Sequence, residues 1–264
     1  MMHVRSKNRL FFLCCLMIVF AAGCVHEPSG VILTPEQEAA RVAKSAKIHT
    51  ELASEYYFRR QYKVALEEVD AALKSNPNYA PTYNVLGLIH MALDENSKAQ
   101  SSFERALRLA PDDPEIHNNY GWFLCERYPD QIDRAIDHFR RAINDPLYET
   151  RHIAYANAGL CEIKRNNFTE ASFFLREALT LHSSYRPALV GLIEMDFKRG
   201  QLAAAQSRLT EFKQKYSPTV KSLELGIQIE RAMNNPRAVD SYMFQLQKLF
   251  PDSKEARAAR EGRL

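Results

Sequence analysis

The chain has 264 residues, 46% of them hydrophobic, with 35 Lys+Arg against 32 Asp+Glu and a formal net charge of +3. Three of the basic residues and none of the acidic ones fall in the first 23 positions, so the remainder carries 32 of each and balances at zero. A nucleic-acid binder shows a basic excess or stripe; none is visible, and nucleic acid is excluded as a partner.

Arg5, Lys7 and Arg9 precede a continuous apolar or small run, 10–22, that includes "FFLCCLMIVF". The run is shorter than the ~20 residues a transmembrane helix needs, and it reads as a targeting segment that is removed. It ends in Ala21-Ala22-Gly23-Cys24. Small residues ahead of a cysteine resemble the bacterial lipobox, although Ala21 stands where Leu is commoner. Residues 1–23 are therefore expected to be a lipoprotein signal peptide and Cys24 the lipid-attachment site, carrying diacylglycerol and an N-acyl chain. Two or three acyl chains hold a membrane far more firmly than one. Val25, rather than Asp, after the cysteine resembles lipoproteins sorted to the outer membrane, facing the periplasm. Residues 24–34 form the tether, and "VHEPSGVIL" (25–33) spans about 30 Å when extended.

Thr34-Pro35-Glu36-Gln37 announces a helix: Thr caps, Pro suits the first turn, and Gln three residues on completes a capping box. No strand-like alternation follows, and the predicted class is all-α with short connections. Internal repetition decides the architecture. "AKIHTELASEYYFRRQYKVALEEVDAALKSNPNY" (46–79) aligns with "APTYNVLGLIHMALDENSKAQSSFERALRLAPDD" (80–113), and further units start near 114, 152, 186 and 220. All are 34 residues long except the third, which has 38, with additions around "RYPDQ" and "DPLYET". Position 8 is small in the first four units (Ala53, Gly87, Gly121, Gly159), and position 20 is Ala65, Ala99, Ala135, Ala171 or Ala205. Such residues let two helices approach closely. Pro77, Pro111 and Pro251 help end second helices, because proline disfavours a helical residue before it. In the fifth and sixth units Ile193 and Ile227 take position 8, and Phe212 and Leu246 take position 27, so these units read as degenerate. The pattern resembles the tetratricopeptide repeat, which implies a superhelix of six helix-turn-helix units over 35–253 with a capping helix at 254–264.

Beyond the signal segment and Cys24, Cys125 and Cys161 remain. They can pair in an oxidising compartment, but spacing alone does not place their Cα atoms within bridging distance; two buried free thiols are expected. No HExxH pair, Cys/His zinc spacing, phosphate-binding glycine loop or triad neighbourhood is present. His49 and His90 fall at helix-packing positions, and Asp94-Glu95 and Asp112-Asp113 fall at helix connections, where acids favour the next N-terminus. The chain reads as a non-enzyme without metal or other cofactor.

In tetratricopeptide arrays the first helices line a groove, and the resemblance implies that positions 2, 5, 6, 9, 12 and 13 face it. Position 9 is Ser54, Leu88, Trp122, Leu160, Glu194 and Gln228; position 12 is Tyr57, Met91, Cys125, Ile163, Phe197 and Arg231. Positions 5 and 6 supply Asn84, Asn118, Asn119 and Asn157. The expected partner-binding groove is Tyr57, Asn84, Leu88, Met91, Asn118, Asn119, Trp122, Asn157 and Leu160. It is an apolar strip with amides that bond peptide N–H and C=O groups and an aromatic of hot-spot type; the alternative is that these side chains fill space between repeats. Glu115 and Asn119 stand where a basic carboxylate clamp needs cations, which disfavours a ligand held by its C-terminal carboxylate.

A lipobox, six repeats and "NNYGWFLC" (118–125) in a lengthened third unit are together similar to the type IV pilus pilotin family, known as PilF or PilW. That resemblance implies a lipoprotein that binds the pilus secretin subunit (PilQ-like) and promotes its localisation and ring assembly in the outer membrane; the chain itself is expected to be monomeric. The rival reading is a general periplasmic adaptor that recruits envelope enzymes or assembly factors.

Overall fold

The computed structural model describes residues 34–263; Cys24 and the tether ahead of Thr34 lie outside them. The chain divides after Ala39 into two units. In the first, Thr34 and Gln37 exchange the reciprocal capping bonds that their spacing predicts, at 2.9 and 3.2 Å. The second, residues 40–264, holds the repeats.

Among the described residues there are thirteen α-helices and no strand. α1 (Pro35–Phe58) and α2 (Tyr62–Ser75) make the first helix pair. They are followed by α3 (Ala80–Ala92) with α4 (Asn96–Leu109), α5 (Pro114–Arg127) with α6 (Ile132–Asn144), and α7 (Arg151–Lys164) with α8 (Phe168–Leu181). α9 (Arg186–Lys198) with α10 (Leu202–Lys215) and α11 (Val220–Ala232) with α12 (Pro236–Leu249) complete the pairs, and α13 (Lys254–Arg260) packs on α12. From α3 onward each first helix packs on its own second helix and on the first helix of the next pair, so α3, α5, α7, α9 and α11 lie side by side.

The boundaries have local causes. Asp113 caps α5 by accepting the Glu115 and Ile116 backbone N–H groups at 2.9 and 3.1 Å, a contact worth about 1 kcal/mol. Asn76, Ala110 and Phe250, each before a proline, leave the helical region with φ of −140°, −139° and −135°. Five of the six intra-pair turns reverse through one left-handed residue: Arg60, Asp94, Asn166, Gly200 and Asn234, with φ between 59° and 74°. In each, the next N–H reaches back five residues, as Gln61 does to the Tyr56 carbonyl and Asn235 to that of Glu230, closing a Schellman cap. The third pair alone departs. Its "RYPDQ" insertion places Pro129 after Tyr128, and a short 3-10 turn over Pro129–Gln131 replaces the left-handed residue.

Close helix approach is visible at the glycines. A Cβ on Gly87 would sit 2.7 Å from Phe103 Cε1, and one on Gly121 3.0 Å from both the Ala135 carbonyl oxygen and Phe139 Cε1. Ala65, Ala99, Ala135, Ala171 and Ala205 are fully buried. The sixth pair corrects the expectation that its small residue is missing. Gly226, one place before Ile227, fills that role, since a Cβ there would meet Tyr242 Cε1 at 2.6 Å. Gly226 and Tyr242 keep the sixteen-residue separation of Gly87 and Phe103, so the pair is shifted by one residue rather than lost. The largest core cluster surrounds α5, where Phe103, Tyr120 and Phe123 have ring centroids 5.4–6.1 Å apart. Burying each ring contributes about 1.5–3 kcal/mol.

Cys125 and Cys161 are not free thiols. They form a disulfide between α5 and α7 with Cα atoms 5.9 Å apart. The side-by-side packing of first helices brings position 12 of the third unit and position 10 of the fourth into bridging range, which spacing in one sequence does not reveal.

Candidate functional site

α5, α7, α9 and the start of α11 enclose a cleft of about 540 Å³. Trp122, Leu160, Pro187 and Val190 make its apolar lining. Trp122 is half-buried: it packs on the α5 core cluster and turns its remaining surface to the cleft. Lys164 lies 5.7 Å from the centre of the indole, a cation–π distance, and pairs with Glu126 at 2.6 Å. On the opposite wall Lys221 reaches Glu194 at 3.3 Å and Glu224 at 3.4 Å. Burial opposes the charge on Lys221, but the two carboxylates outweigh it and hold its pKa above the ordinary lysine value. Arg186, exposed at the start of α9, has no carboxylate partner among the described residues.

Of the nine sequence-predicted groove residues, the structure brings Trp122 and Leu160 into this cleft. The four asparagines form a ladder beside it: Asn157 Nδ2 donates to Asn118 Oδ1 (3.0 Å), Asn118 Nδ2 to Asn119 Oδ1 (3.2 Å) and Asn119 Nδ2 to Asn84 Oδ1 (3.3 Å). The ladder ties α7, α5 and α3 together, and Asn84 and Asn118 are buried. Asn84 also lines a smaller cleft of about 280 Å³ with Glu51, Asp113 and Glu115; burial, then the neighbouring Asp113, raises the Glu115 pKa. Leu88 and Met91 pack half-buried on the α5 core. Tyr57 packs on the first pair's core, edge-on to Phe58 at 5.4 Å, and burial raises its pKa.

The cleft residues absent from the predicted groove are Glu126, Lys164, Arg186, Pro187, Val190, Glu194, Thr219 and Lys221. They occupy position 13 of the third and fourth units, positions 1, 2, 5, 9 and 34 of the fifth, and position 2 of the sixth. Applying every groove position to all the units, the two degenerate ones included, finds all of them except Arg186 and Thr219.

His49 and His90, read as packing residues, each join their two helices through a carboxylate, to Glu68 at 2.7 Å and Glu95 at 2.6 Å. Lys98, then His90, lowers the Glu95 pKa. No group of three or more His, Cys, Asp or Glu side chains arranged to hold a metal exists among the described residues. No helix among them is long and apolar enough to cross a membrane.

A tetratricopeptide-repeat family profile matches residues 50–114 and 84–149. The crystal structure of PilW, described as a widely conserved type IV pilus biogenesis factor, is 35% identical. It superposes with a TM-score of 0.69 over 81% of this chain and 97% of that one. The type IV pilus assembly protein PilF of Pseudomonas aeruginosa is 26% identical over 197 residues, 74% of this chain and 75% of its own. A solved structure of P. aeruginosa PilF, 22% identical, shares the fold with a TM-score of 0.65 over 84% and 99% of the two chains. The chain therefore belongs to the PilW/PilF family of tetratricopeptide-repeat type IV pilus biogenesis factors.

Proposed function

We propose that this chain is a pilotin: an outer-membrane lipoprotein, anchored at Cys24, that binds the type IV pilus secretin subunit and promotes its localisation and ring assembly. Family membership supports the pilus role. The observation that carries the binding role is Trp122, presented half-buried on an apolar cleft built by four successive first helices. A rigid aromatic anchor in a concave, partly desolvated site is the usual centre of a protein interface. Anchoring supplies the rest by concentration: a tethered binder converts cargo capture at the membrane into a near-intramolecular event without any new contact.

Two variants test this. Trp122→Ala, with folding checked by thermal melting, is expected to weaken secretin binding at least tenfold; unchanged binding removes the cleft from the mechanism. Cys24→Ser is expected to leave secretin binding intact but to abolish normal ring formation in the outer membrane. Normal rings with that variant would overturn the tethering step. Stoichiometric binding of purified cell-wall hydrolases or envelope proteases, with none of the secretin, would favour a general adaptor instead.

A further inference from the structure

The chemistry of the cleft restricts the conformation of what it holds. Its floor is apolar, and most of its polar groups are already engaged. Lys164 is paired with Glu126, and Lys221 with Glu194 and Glu224. Thr219 Oγ1 accepts the Ser222 N–H at 3.1 Å in the capping box of α11. The amides suited to a peptide backbone lie outside, bonded to one another at 3.0–3.3 Å. An extended segment brings one N–H and one C=O per residue, and each one buried without a partner costs about 1–3 kcal/mol. A helix bonds its own backbone internally and needs from the cleft only apolar surface. The volume of about 540 Å³ is between three and four times the ~150 Å³ that takes one benzene ring, enough for the side chains of one helix face over two turns.

Charge adds a second restriction. Arg186 stands on the rim without a carboxylate among the described residues, whereas both cleft lysines have one.

We infer that the cleft takes a single amphipathic α-helix of the partner, its apolar stripe on Trp122, Leu160 and Val190, with a carboxylate beside the stripe that pairs with Arg186. This rests on the reading of the cleft as the secretin-holding site. Helix-in-groove recognition reads partners through anchors three, four and seven residues apart, and that spacing is what the cleft selects.

Trp122 is the only tryptophan in the chain, so its emission reports occupancy of the cleft directly. Three synthetic twelve-residue peptides are titrated into the full mature chain. The first is a lactam-stapled helix with leucines at helical spacing and one glutamate beside them. The second has the same composition with the leucines scrambled. The third has the original order interrupted by two prolines. The stapled helix is expected to shift the emission to the blue and to bind at least tenfold tighter than the other two. Arg186→Glu is expected to weaken it about tenfold, and replacing the peptide glutamate by lysine to restore it. Equal or tighter binding of the proline-interrupted peptide, no emission change with any peptide, or no restoration by the charge exchange would overturn the inference. The secretin's periplasmic region, titrated separately, keeps the two readings apart. If it moves the emission and only the proline-interrupted peptide displaces it, the partner stands and the helix falls. If the stapled helix binds and the secretin does not compete with it, the assignment of that helix to the secretin is overturned.

Discussion

Cys125 and Cys161, thirty-six residues apart in sequence, are joined across the first helices of the third and fourth repeats. The bond closes a loop that contains the whole of α6 and both insertions of the lengthened third repeat. Closing a loop of that size removes unfolded-state entropy worth about 2–4 kcal/mol. The Cys125→Ser, Cys161→Ser double variant is expected to lose that much stability in chemical denaturation, with the helical circular dichroism of the folded state retained. Because the bond ties the helices that carry Trp122 and Leu160, the pilotin reading proposed above expects secretin affinity to fall in the double variant even where it remains folded. Identical midpoints for wild type and variant would show that the bond constrains nothing.

The last repeat yields an experiment that separates spacing from packing. Strict 34-residue spacing makes Ile227 the misplaced large residue at a small-residue position, so Ile227→Ala would be harmless. The structure makes Ile227 a fully buried filler and gives the close approach to Gly226. Ile227→Ala is therefore expected to cost about 2–4 kcal/mol through the cavity it leaves. Gly226→Ala gains about 1 kcal/mol of helix propensity but forces a methyl onto Tyr242. That ring is held by Lys213, which donates to its hydroxyl at 3.0 Å and lies 4.3 Å from its centre. Overpacking costs about 1–3 kcal/mol, so a net loss is expected; thermal melts of the two variants decide between the registers.

Gly226 also shows why the repeats were legible in the sequence and the site only partly so. A 34-residue period with small residues at fixed places reports helix pairs directly, because the contact at each place is the same contact repeated. A one-residue shift within a helix pair leaves the period intact while exchanging the roles of two neighbours, and periodicity is blind to it. Trp122 and Leu160 were readable as groove residues because they occur in well-formed units. Lys164 and Glu126, at position 13, were readable in principle by the same rule. Val190, Pro187 and Lys221 sit in units that look degenerate, where position numbers lose authority. The cysteine pairing depends on the distance between two helices, which no spacing within one sequence encodes. The asparagines fall at groove positions that leave peptide binding and inter-repeat packing equally open, yet three of their hydrogen bonds are to one another, a relation that exists only once α3, α5 and α7 are side by side.

His117 and His138 predict an acid-sensitive third repeat. His117 Nε2 is 2.8 Å from the Pro111 carbonyl oxygen, which can only accept, so that nitrogen carries the proton. Its Nδ1 then accepts from His138 Nδ1 at 2.8 Å, and both rings are neutral. Burial lowers the His138 pKa to about 4, helped by His117, Arg141 and Arg134; burial also lowers that of His117, with the Pro111 contact acting against it. A depressed folded-state pKa means that the unfolded chain binds more protons between pH ~6.5 and about 4. Stability is then complete above pH ~6.5 and is lost as the pH falls through that window. With His138 partly solvent-screened, its share is about 2 kcal/mol. His138→Gln keeps a donor for His117 and cannot titrate, so its melting temperature should fall less steeply than wild type over the same range. Parallel curves would mean that the pair does not govern acid stability.

Glu162 and Arg165 close the fourth repeat's first helix. Glu162 is fully enclosed, and Arg165 grips both of its oxygens at 2.6 Å while also reaching Asp133 at 2.5 Å. These bonds, with Glu162 foremost, raise the Arg165 pKa above its already high ordinary value. Removing one member of a buried pair costs about 3–5 kcal/mol because the other charge is left without a partner. Here the guanidinium side chain is 33% exposed and partly screened, which lowers the expected loss for Arg165→Met to about 2–3 kcal/mol at pH 7. The pH dependence carries the diagnosis. Without its arginine, the enclosed Glu162 carboxylate is an uncompensated buried charge that protonation relieves, so the variant's penalty is smallest in acid and grows with pH. Denaturation of wild type and Arg165→Met at pH 4.5 and pH 7 should show the gap between them widening at the higher pH. A gap independent of pH would assign Arg165 to packing by its aliphatic stem rather than to neutralising the carboxylate beneath it.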